Sequence, residues 1–405
     1  MLKGNAIVGQ SGGPSTAINA TLAGVIRGCR DSEAIGKLYG AFNGAEGMLE
    51  GRICDLDEKV PDSALKLLSN TPAAALGSCR LKLPENSDTP ENKAVYDKLF
   101  DLFDAHGIKY FFYIGGNDSM DTVGKLYREA EKRGADLCVF GVPKTIDNDL
   151  GVTDHTPGYG SAAKFVATAL REIRRDCAVY TRPAVTVVEI MGRDSGWLTA
   201  AASLADVDGI YLPERQFDFD SFICDVKAAL KKRPDVVMAV SEGVRDKNGE
   251  YIGAASHKGV DIFGHVGLSG AGRTLEMLVK EQLGTKVRSV ELNVLQRCAA
   301  HIASKTDLDE GFDVGLNSVR LAESGRSGHM AVILRTSNEP YAHAVDSFPV
   351  ENIANFAKHV PDEYINETAN GVTQACVDYI RPLIMGQPEL EYEDGLPKQF
   401  IIERQ

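Results

Sequence analysis

Apolar runs that end abruptly in polar, glycine-containing turns constrain this chain more than any other feature. Leu137 to Val142 has the length and character of a buried parallel strand, and it stops at Pro143-Lys144-Thr145-Ile146-Asp147-Asn148-Asp149. Tyr110-Phe111-Phe112-Tyr113-Ile114 is a second such run and opens into Gly115-Gly116-Asn117-Asp118-Ser119. Helical periodicity surrounds these strands, over Glu91 to His106 before the Tyr110 run and Ser119 to Arg133 after it. Nearer the start, Ala6 to Gln10 reads as a strand. Ser15 to Arg30 reads as a helix with apolar residues at Ile18, Leu22, Val25 and Ile26. Strands that alternate with helices build a largely parallel sheet covered on both faces.

The pattern then restarts. A helix is expected over Ser161 to Asp176, with strands at Val185 to Ile190, Val236 to Val240 and Val287 to Leu295, and a late strand at His329 to Leu334. The fold class is therefore α/β, with two Rossmann-like three-layer lobes, largely parallel sheets and an active site in the cleft between them. Open sheets of this kind take ligands outside the carboxyl ends of their strands, so both polar turns belong to one crevice.

A chain of 405 residues that is 43% hydrophobic and 25% charged has the composition of a globular enzyme with room for two cores. Its net charge of −13 argues against non-specific nucleic-acid binding. Phosphorylated ligands would need local clusters of lysine and arginine. No apolar run reaches the roughly 18 residues of a membrane span. The amino terminus enters a strand directly instead of forming a signal peptide, so a cytoplasmic location is expected. Eight cysteines without a C-x-x-C pair read as reduced thiols. Asn248-Gly249 carries a hairpin signal. The glycine-rich stretch Gly264 to Gly272, ahead of a helix over Leu275 to Leu283, reads as a substrate-side loop or surface turn in preference to a phosphate loop.

Carboxylates at Asp147 and Asp149 beside Lys144, with glycines and an acid at the neighbouring strand end, suit a Mg²⁺-held phosphate next to a base. From the residues alone, Asp147 is as readily a turn or capping residue as a general base. Gly12-Gly13 is likewise either an approach for phosphate or an ordinary strand-to-helix turn. The common nucleotide loops, G-x-x-x-x-G-K-[ST] and G-x-G-x-x-G, are absent, which disfavours a dehydrogenase.

Taken in order, Ser11-Gly12-Gly13-Pro14, GGNDS at 115–119, PKTIDND at 143–149 and Met191-Gly192-Arg193 resemble the 6-phosphofructokinases, and in particular their pyrophosphate-dependent branch. The resemblance runs from residue 5 to about residue 300. It implies a Mg²⁺-dependent, reversible transfer of phosphate from pyrophosphate to fructose 6-phosphate, with ATP-dependent transfer as the alternative. It makes Asp147 the base that deprotonates the sugar 1-hydroxyl, worth about 10²–10⁴-fold in rate. Lys144, Asp118 and Arg80 become further catalytic residues, and Gly12, Gly13, Asp118 and Lys144 the pyrophosphate contacts. Thr145, Asp147, Met191, Gly192, Arg193, Glu242, Arg288 and Arg297 become sugar-phosphate contacts. Asp118, Asp149 and, more weakly, Asn117 would hold Mg²⁺.

In ATP-dependent relatives positions 118 and 144 are typically glycine. Here a carboxylate and a butylammonium occupy the room left for the nucleotide, and an α-phosphate about 4 Å from Asp118 would be repelled by roughly 4 kcal/mol at an effective dielectric of 20 before steric overlap is counted. A simple Asp118–Lys144 ion pair is the plainer expectation for the same two residues. Three positions depart from the family pattern. Asn117 replaces an aspartate, Val294 replaces a histidine or tyrosine, and Ala184 stands where an arginine is usual, with Arg182 nearby. Ala23 replaces an effector-binding arginine while Arg27 remains, which implies little regulation by nucleotides or phosphoenolpyruvate. A homodimer or homotetramer is implied, with Arg288 reaching a neighbouring sugar site. The expected division is about 1–157 plus 297–350 for the donor lobe and about 158–296 plus 351–405 for the sugar-phosphate lobe. A non-catalytic relative is disfavoured by the joint presence of Asp147, Lys144 and Arg193.

Overall fold

The computed structural model describes residues 2–179, 181–253, 270–353 and 356–404. Two sheets dominate it. The larger contains β1 (Gly4–Gln10), β2 (Ile35–Ala41), β3 (Ile53–Asp55), β4 (Ile108–Gly115) and β5 (Cys138–Pro143). The smaller contains β6 (Ala184–Ile190), β7 (Gly209–Tyr211), β8 (Asp235–Ser241) and β9 (Lys286–Glu291). Two strands from late in the chain, β10 (His329–Asn338) and β11 (Tyr341–Pro349), return to the larger sheet. The larger sheet runs β11-β10-β5-β4-β1-β2-β3, parallel except for its edge strands β3 and β11. The smaller runs β7-β8-β6-β9 and is parallel throughout.

The apolar runs explain the layers. Successive strand residues face opposite sides of a sheet. Along β4, Tyr110, Phe112 and Ile114 join one core with Ile18, Leu22, Val25 and Ile26 of α1 (Ile18–Asp31). Phe111 and Tyr113 face the other core, with Tyr96, Leu99 and Phe103 of α2 (Pro90–Ala105) and Met120, Val123 and Leu126 of α3 (Asn117–Arg133). The smaller sheet is covered in the same way. One face meets Ala162, Val166 and Leu170 of α4 (Tyr159–Cys177). The other meets Phe222 and Val226 of α5 (Phe219–Lys232) and Leu275 and Val279 of α6 (Ala271–Leu283).

Beyond α7 (Leu295–Cys298), α8 (Lys305–Glu323) packs closely on α1. A Cβ on Gly24 would lie 2.1 Å from the carbonyl oxygen of Phe312, so this crossing admits only glycine.

The expected strand from Val287 to Leu295 ends early. β9 stops at Glu291, Asn293 adopts a left-handed φ of 44°, and Leu295–Cys298 is a helical turn. Arg288 and Arg297 therefore do not share one extended strand. The helix expected from Ser119 begins at Asn117, because Gly116 is extended and lets the chain turn into the helix two residues sooner. Asp246 and Glu250 close the expected tight turn, with Gly249 at φ 80°. Residues 264–269 of the glycine-rich stretch lie outside the described residues. All eight cysteines are free thiols. Among the described residues, no helix is long and apolar enough to cross a membrane.

Candidate active site

Both sheets direct the carboxyl ends of their central strands at one cleft of about 470 Å³. β1 ends at Gln10 and leads into Ser11-Gly12-Gly13. Beside it, β4 ends at Gly115 and β5 at Pro143. The Lys144 N–H donates to the Gly115 carbonyl at 2.9 Å and the Ser11 N–H to that of Ile114 at 2.9 Å, so ladder-like bonds carry the register into the turns. From the opposite side, β6 delivers Met191 and Arg193 and β8 delivers Glu242, whose N–H donates to the Ile190 carbonyl at 2.9 Å.

Lys144 is buried, and its Nζ donates to the Gly13 carbonyl. Burial pulls its ammonium down to about 8. Asp147 and Asp149 oppose that shift, while Arg297 and Arg80 reinforce it. A Cβ on Gly12 would sit 3.5 Å from Lys144 Nζ, and one on Gly13 would sit 3.4 Å from an Arg297 guanidinium nitrogen. The paired glycines thus keep both cations open to the cleft.

The Thr145 hydroxyl accepts the Asp147 N–H at 3.1 Å and shapes the turn that presents the carboxylates. Burial and then the neighbouring Asp149 push Asp147 well above the usual carboxylate range, with Lys144 and Arg193 pulling against them. Asp149 is pushed up as well, chiefly by burial. On the side of the smaller sheet, Glu242 Oε1 accepts the Gly192 N–H at 3.3 Å, and burial pushes its carboxyl up to about 7. A Cβ on Gly243 would meet the Arg193 carbonyl oxygen at 1.9 Å, so the two loops are in tight contact. Arg193 Nε is buried with no acceptor among the described residues. A buried donor left unmatched in this way points to an anionic or carbonyl group on a ligand.

A divalent cation fits beside Asp149. Asn117 Nδ2 donates to Asp149 Oδ2 at 3.2 Å, and Asn117 Oδ1 is buried without a partner among the described residues. No cluster of three histidine, cysteine, aspartate or glutamate side chains converges among the described residues. Mg²⁺ needs no such cluster, because it is usually held by one or two carboxylates plus waters and substrate phosphates.

A family profile, phosphofructokinase, matches residues 5–321. The chain belongs to the phosphofructokinase family. Curated relatives named pyrophosphate–fructose 6-phosphate 1-phosphotransferase include one from Halomonas elongata, 41% identical over 98% of this chain and 96% of its own length. Another, from Methylococcus capsulatus, is 38% identical over 97% and 94%. The crystal structure of the pyrophosphate-dependent phosphofructokinase from Nitrosospira multiformis superposes with a TM-score of 0.89 at 36% identity, covering 99% of this chain and 96% of that one.

Within this phosphofructokinase cleft the structure gathers Gly12, Gly13, Arg80, Asn117, Asp118, Lys144, Thr145, Asp147, Asp149, Met191, Arg193, Glu242 and Arg297. Gly192 stands just behind them, its N–H on Glu242 and its carbonyl accepting from Ser241 Oγ. Arg288 is not in this cleft. It sits on β9 beside Arg182 and Lys286 around a separate hollow of about 320 Å³, and pairs with Asp176 at 3.6 Å.

Asp118 and Lys144 do not pair with each other: Asp118 Oδ1 lies 3.1 Å from Lys82 Nζ. Arg27 pairs with Asp31 on its own helix at 3.0 Å. Sequence reasoning missed Lys82, Ser195 and Lys358. Ser195 Oγ donates to the Asp147 carbonyl at 3.4 Å. The Lys358 N–H donates to the Asp149 carbonyl at 2.7 Å, and its Nζ reaches the Asp154 carbonyl at 2.7 Å. The serine of Met191-Gly192-Arg193-Asp194-Ser195 was within reach of the motif. Lys358 stands beyond the matched stretch and carries no local signal.

Proposed function

We infer that this chain transfers a phosphoryl group from pyrophosphate to the 1-hydroxyl of fructose 6-phosphate, giving fructose 1,6-bisphosphate and phosphate. One observation carries the choice of donor. Asp118, in the first turn of the helix after β4, and Lys144, just past β5, both line the cleft, and on this reading their side chains fill the space that a nucleotide would need. Full-length relatives with the same activity in their names support it.

Asp147 takes the proton from the 1-hydroxyl. Its raised affinity for protons suits a general base working near neutral pH. The sugar oxygen then bonds to the distal phosphorus of pyrophosphate as the anhydride P–O bond breaks, and phosphate leaves. Lys144 and Arg80 flank the transferring group and offset its charge, while the backbone at Gly12 and Gly13 admits it closely. Asn117, Asp118 and Asp149 are the residues that would hold Mg²⁺, which when bound neutralises phosphate charge. Met191, Gly192, Arg193 and Glu242 orient the sugar, and Arg297 takes its 6-phosphate through a forked guanidinium.

Arg288, turned away from this cleft, serves the sugar site of a second subunit in a homodimer or homotetramer. The donor lobe comprises about 1–157 with 297–350, and the sugar-phosphate lobe about 158–296 with 351–405.

The reaction exchanges one phosphoryl bond for another without nucleotide, so it runs in both directions. Fructose 1,6-bisphosphate, phosphate and Mg²⁺ incubated with the enzyme should generate a pyrophosphate resonance in phosphorus NMR. No pyrophosphate, alongside forward activity with ATP, would overturn the reading.

A further inference from the structure

Wherever Mg²⁺ is not bound to it, Asp118 poses a problem for an anionic donor. A bare carboxylate about 4 Å from a phosphate costs roughly 4 kcal/mol per charge pair at an effective dielectric of 20. That repulsion would act on multiply charged pyrophosphate as well as on ATP. The structure answers with Lys82, whose ammonium sits 3.1 Å from Asp118 Oδ1.

The segment that carries Lys82 is fixed at both ends and along its length. At its start, the Gly12 N–H donates to the Cys79 carbonyl at 3.2 Å, and Ser78 Oγ donates to the Gly12 carbonyl. Beyond Lys82, the segment is pinned along α3. Lys125 Nζ donates to the Leu83 carbonyl at 3.2 Å and pairs with Glu85 at 3.3 Å. Arg128 pairs with Glu85 at 3.1 Å, and Ser87 Oγ donates to Glu129 at 2.7 Å. Lys132 reaches Ser87 and Asp88, each at 2.9 Å. Residues 125, 128, 129 and 132 lie on one face of the helix, because positions three and four apart are neighbours. The same helix presents Asp118 in its first turn. The segment and the helix that carry the two members of the pair are therefore tied to each other along their length.

The Lys82–Asp118 pair itself adds little to folding. Its side chains keep 46% and 40% of their exposure, and ion pairs that open to solvent contribute about 0–1 kcal/mol. Because Asp118 lines the cleft, the pair has a different consequence there.

We propose that Lys82 is a donor-specificity residue acting through Asp118. Its ammonium cancels the carboxylate charge towards pyrophosphate, so that Asp118 excludes nucleotide by occupying space while still admitting the small anion. This sets aside the charge part of the expectation for Asp118 and keeps its steric part. The proposal rests on the pyrophosphate reading given above.

The test uses the full-length enzyme and inorganic pyrophosphate as the probe, in calorimetric titrations with and without Mg²⁺ and in steady-state rates. K82M should weaken pyrophosphate binding and raise its KM by about tenfold, as expected for loss of a screening charge beside an anion. The KM for fructose 6-phosphate and kcat at saturating pyrophosphate should stay within about twofold. K82R should retain wild-type affinity. In a D118N background, the K82M loss should shrink to less than about threefold, because the two residues act as a unit. K82Q gives the same comparison should K82M aggregate.

Unchanged pyrophosphate affinity in K82M, or an equal loss whether position 118 is wild type or carries D118N, would overturn the proposal. A wild-type enzyme that uses ATP and not pyrophosphate would instead overturn the donor assignment on which it rests.

Discussion

At the scale of single residues, the site is a set of ionisable groups whose charges are balanced by near neighbours. Asp147 is the sharpest case. Burial and Asp149 both resist its ionisation, while Lys144, Arg193 and Arg297 oppose them. A base must be deprotonated to act, and a raised pKa moves loss of activity to higher pH. The rate with saturating substrates should therefore fall off on the acid side near neutrality, not near the ordinary aspartate value of about 4. D147N should lower kcat by about 10²–10⁴-fold with little change in the KM for fructose 6-phosphate, and its residual rate should lack that acid limb. A D147N rate within a few-fold of wild type would remove Asp147 from the role of base. Most of these residues were legible in the sequence because they stand in short motifs at strand ends. Lys82 was not, since its meaning depends on a strap folded against a helix that starts at Asn117. The carbonyl contacts of Lys144 and Lys358 are likewise set by tertiary folding and leave no pattern in the chain.

At the scale of elements, apolar runs specified β1, β4, β5, β6 and β8 because each is buried on both faces, where little but size and apolarity matters. The end of β9 was not legible. Its pattern alternates between exposed and half-buried positions, and the left-handed Asn293 turns the chain where the sequence implies an extended run. That turn has a functional consequence, because it leaves Arg297 in the cleft and Arg288 out of it. If Arg288 serves a neighbouring subunit, R288M should raise the KM for fructose 6-phosphate by about tenfold or more, consistent with loss of a charged contact to phosphate. Mixing R288M and D147N subunits should then produce more activity than either protein alone, because some hybrid sites combine an intact base with an intact arginine. Hybrids no more active than the sum of the parents would place Arg288 outside the site.

At the scale of the whole molecule, the turn that follows β5 is anchored by parts of the chain far away in sequence. His155 bridges Asp154 at 2.7 Å and Glu310 of α8 at 2.7 Å, and Arg335 of β10 holds Asp154 at 2.9 Å. Tyr379 Oη donates to the Asp154 carbonyl at 2.6 Å. Burial disfavours the charge on His155, but Glu310 and Asp154 outweigh it and push its pKa from 6.5 up to about 9. A group whose folded-state pKa is raised contributes stability that is complete below its unfolded value and is lost as pH rises through the folded one. The thermal destabilisation caused by H155Q should therefore be larger at pH 6.5 than above about pH 9. Taking the difference between variant and wild type matters here. Lys144 and Lys358 are depressed to about 8 and move stability in the opposite direction as pH rises. Equal destabilisation at both pH values would show that His155 is uncharged in the fold.

The central claim is the choice of donor, and the most direct measurement is the ratio of kcat/KM for pyrophosphate to that for ATP, in wild type and in D118G. The wild type should strongly favour pyrophosphate, and D118G should lower the ratio by about tenfold or more as the pocket opens to nucleotide. A wild-type enzyme that runs on ATP, or a ratio unmoved by D118G, would contradict the claim.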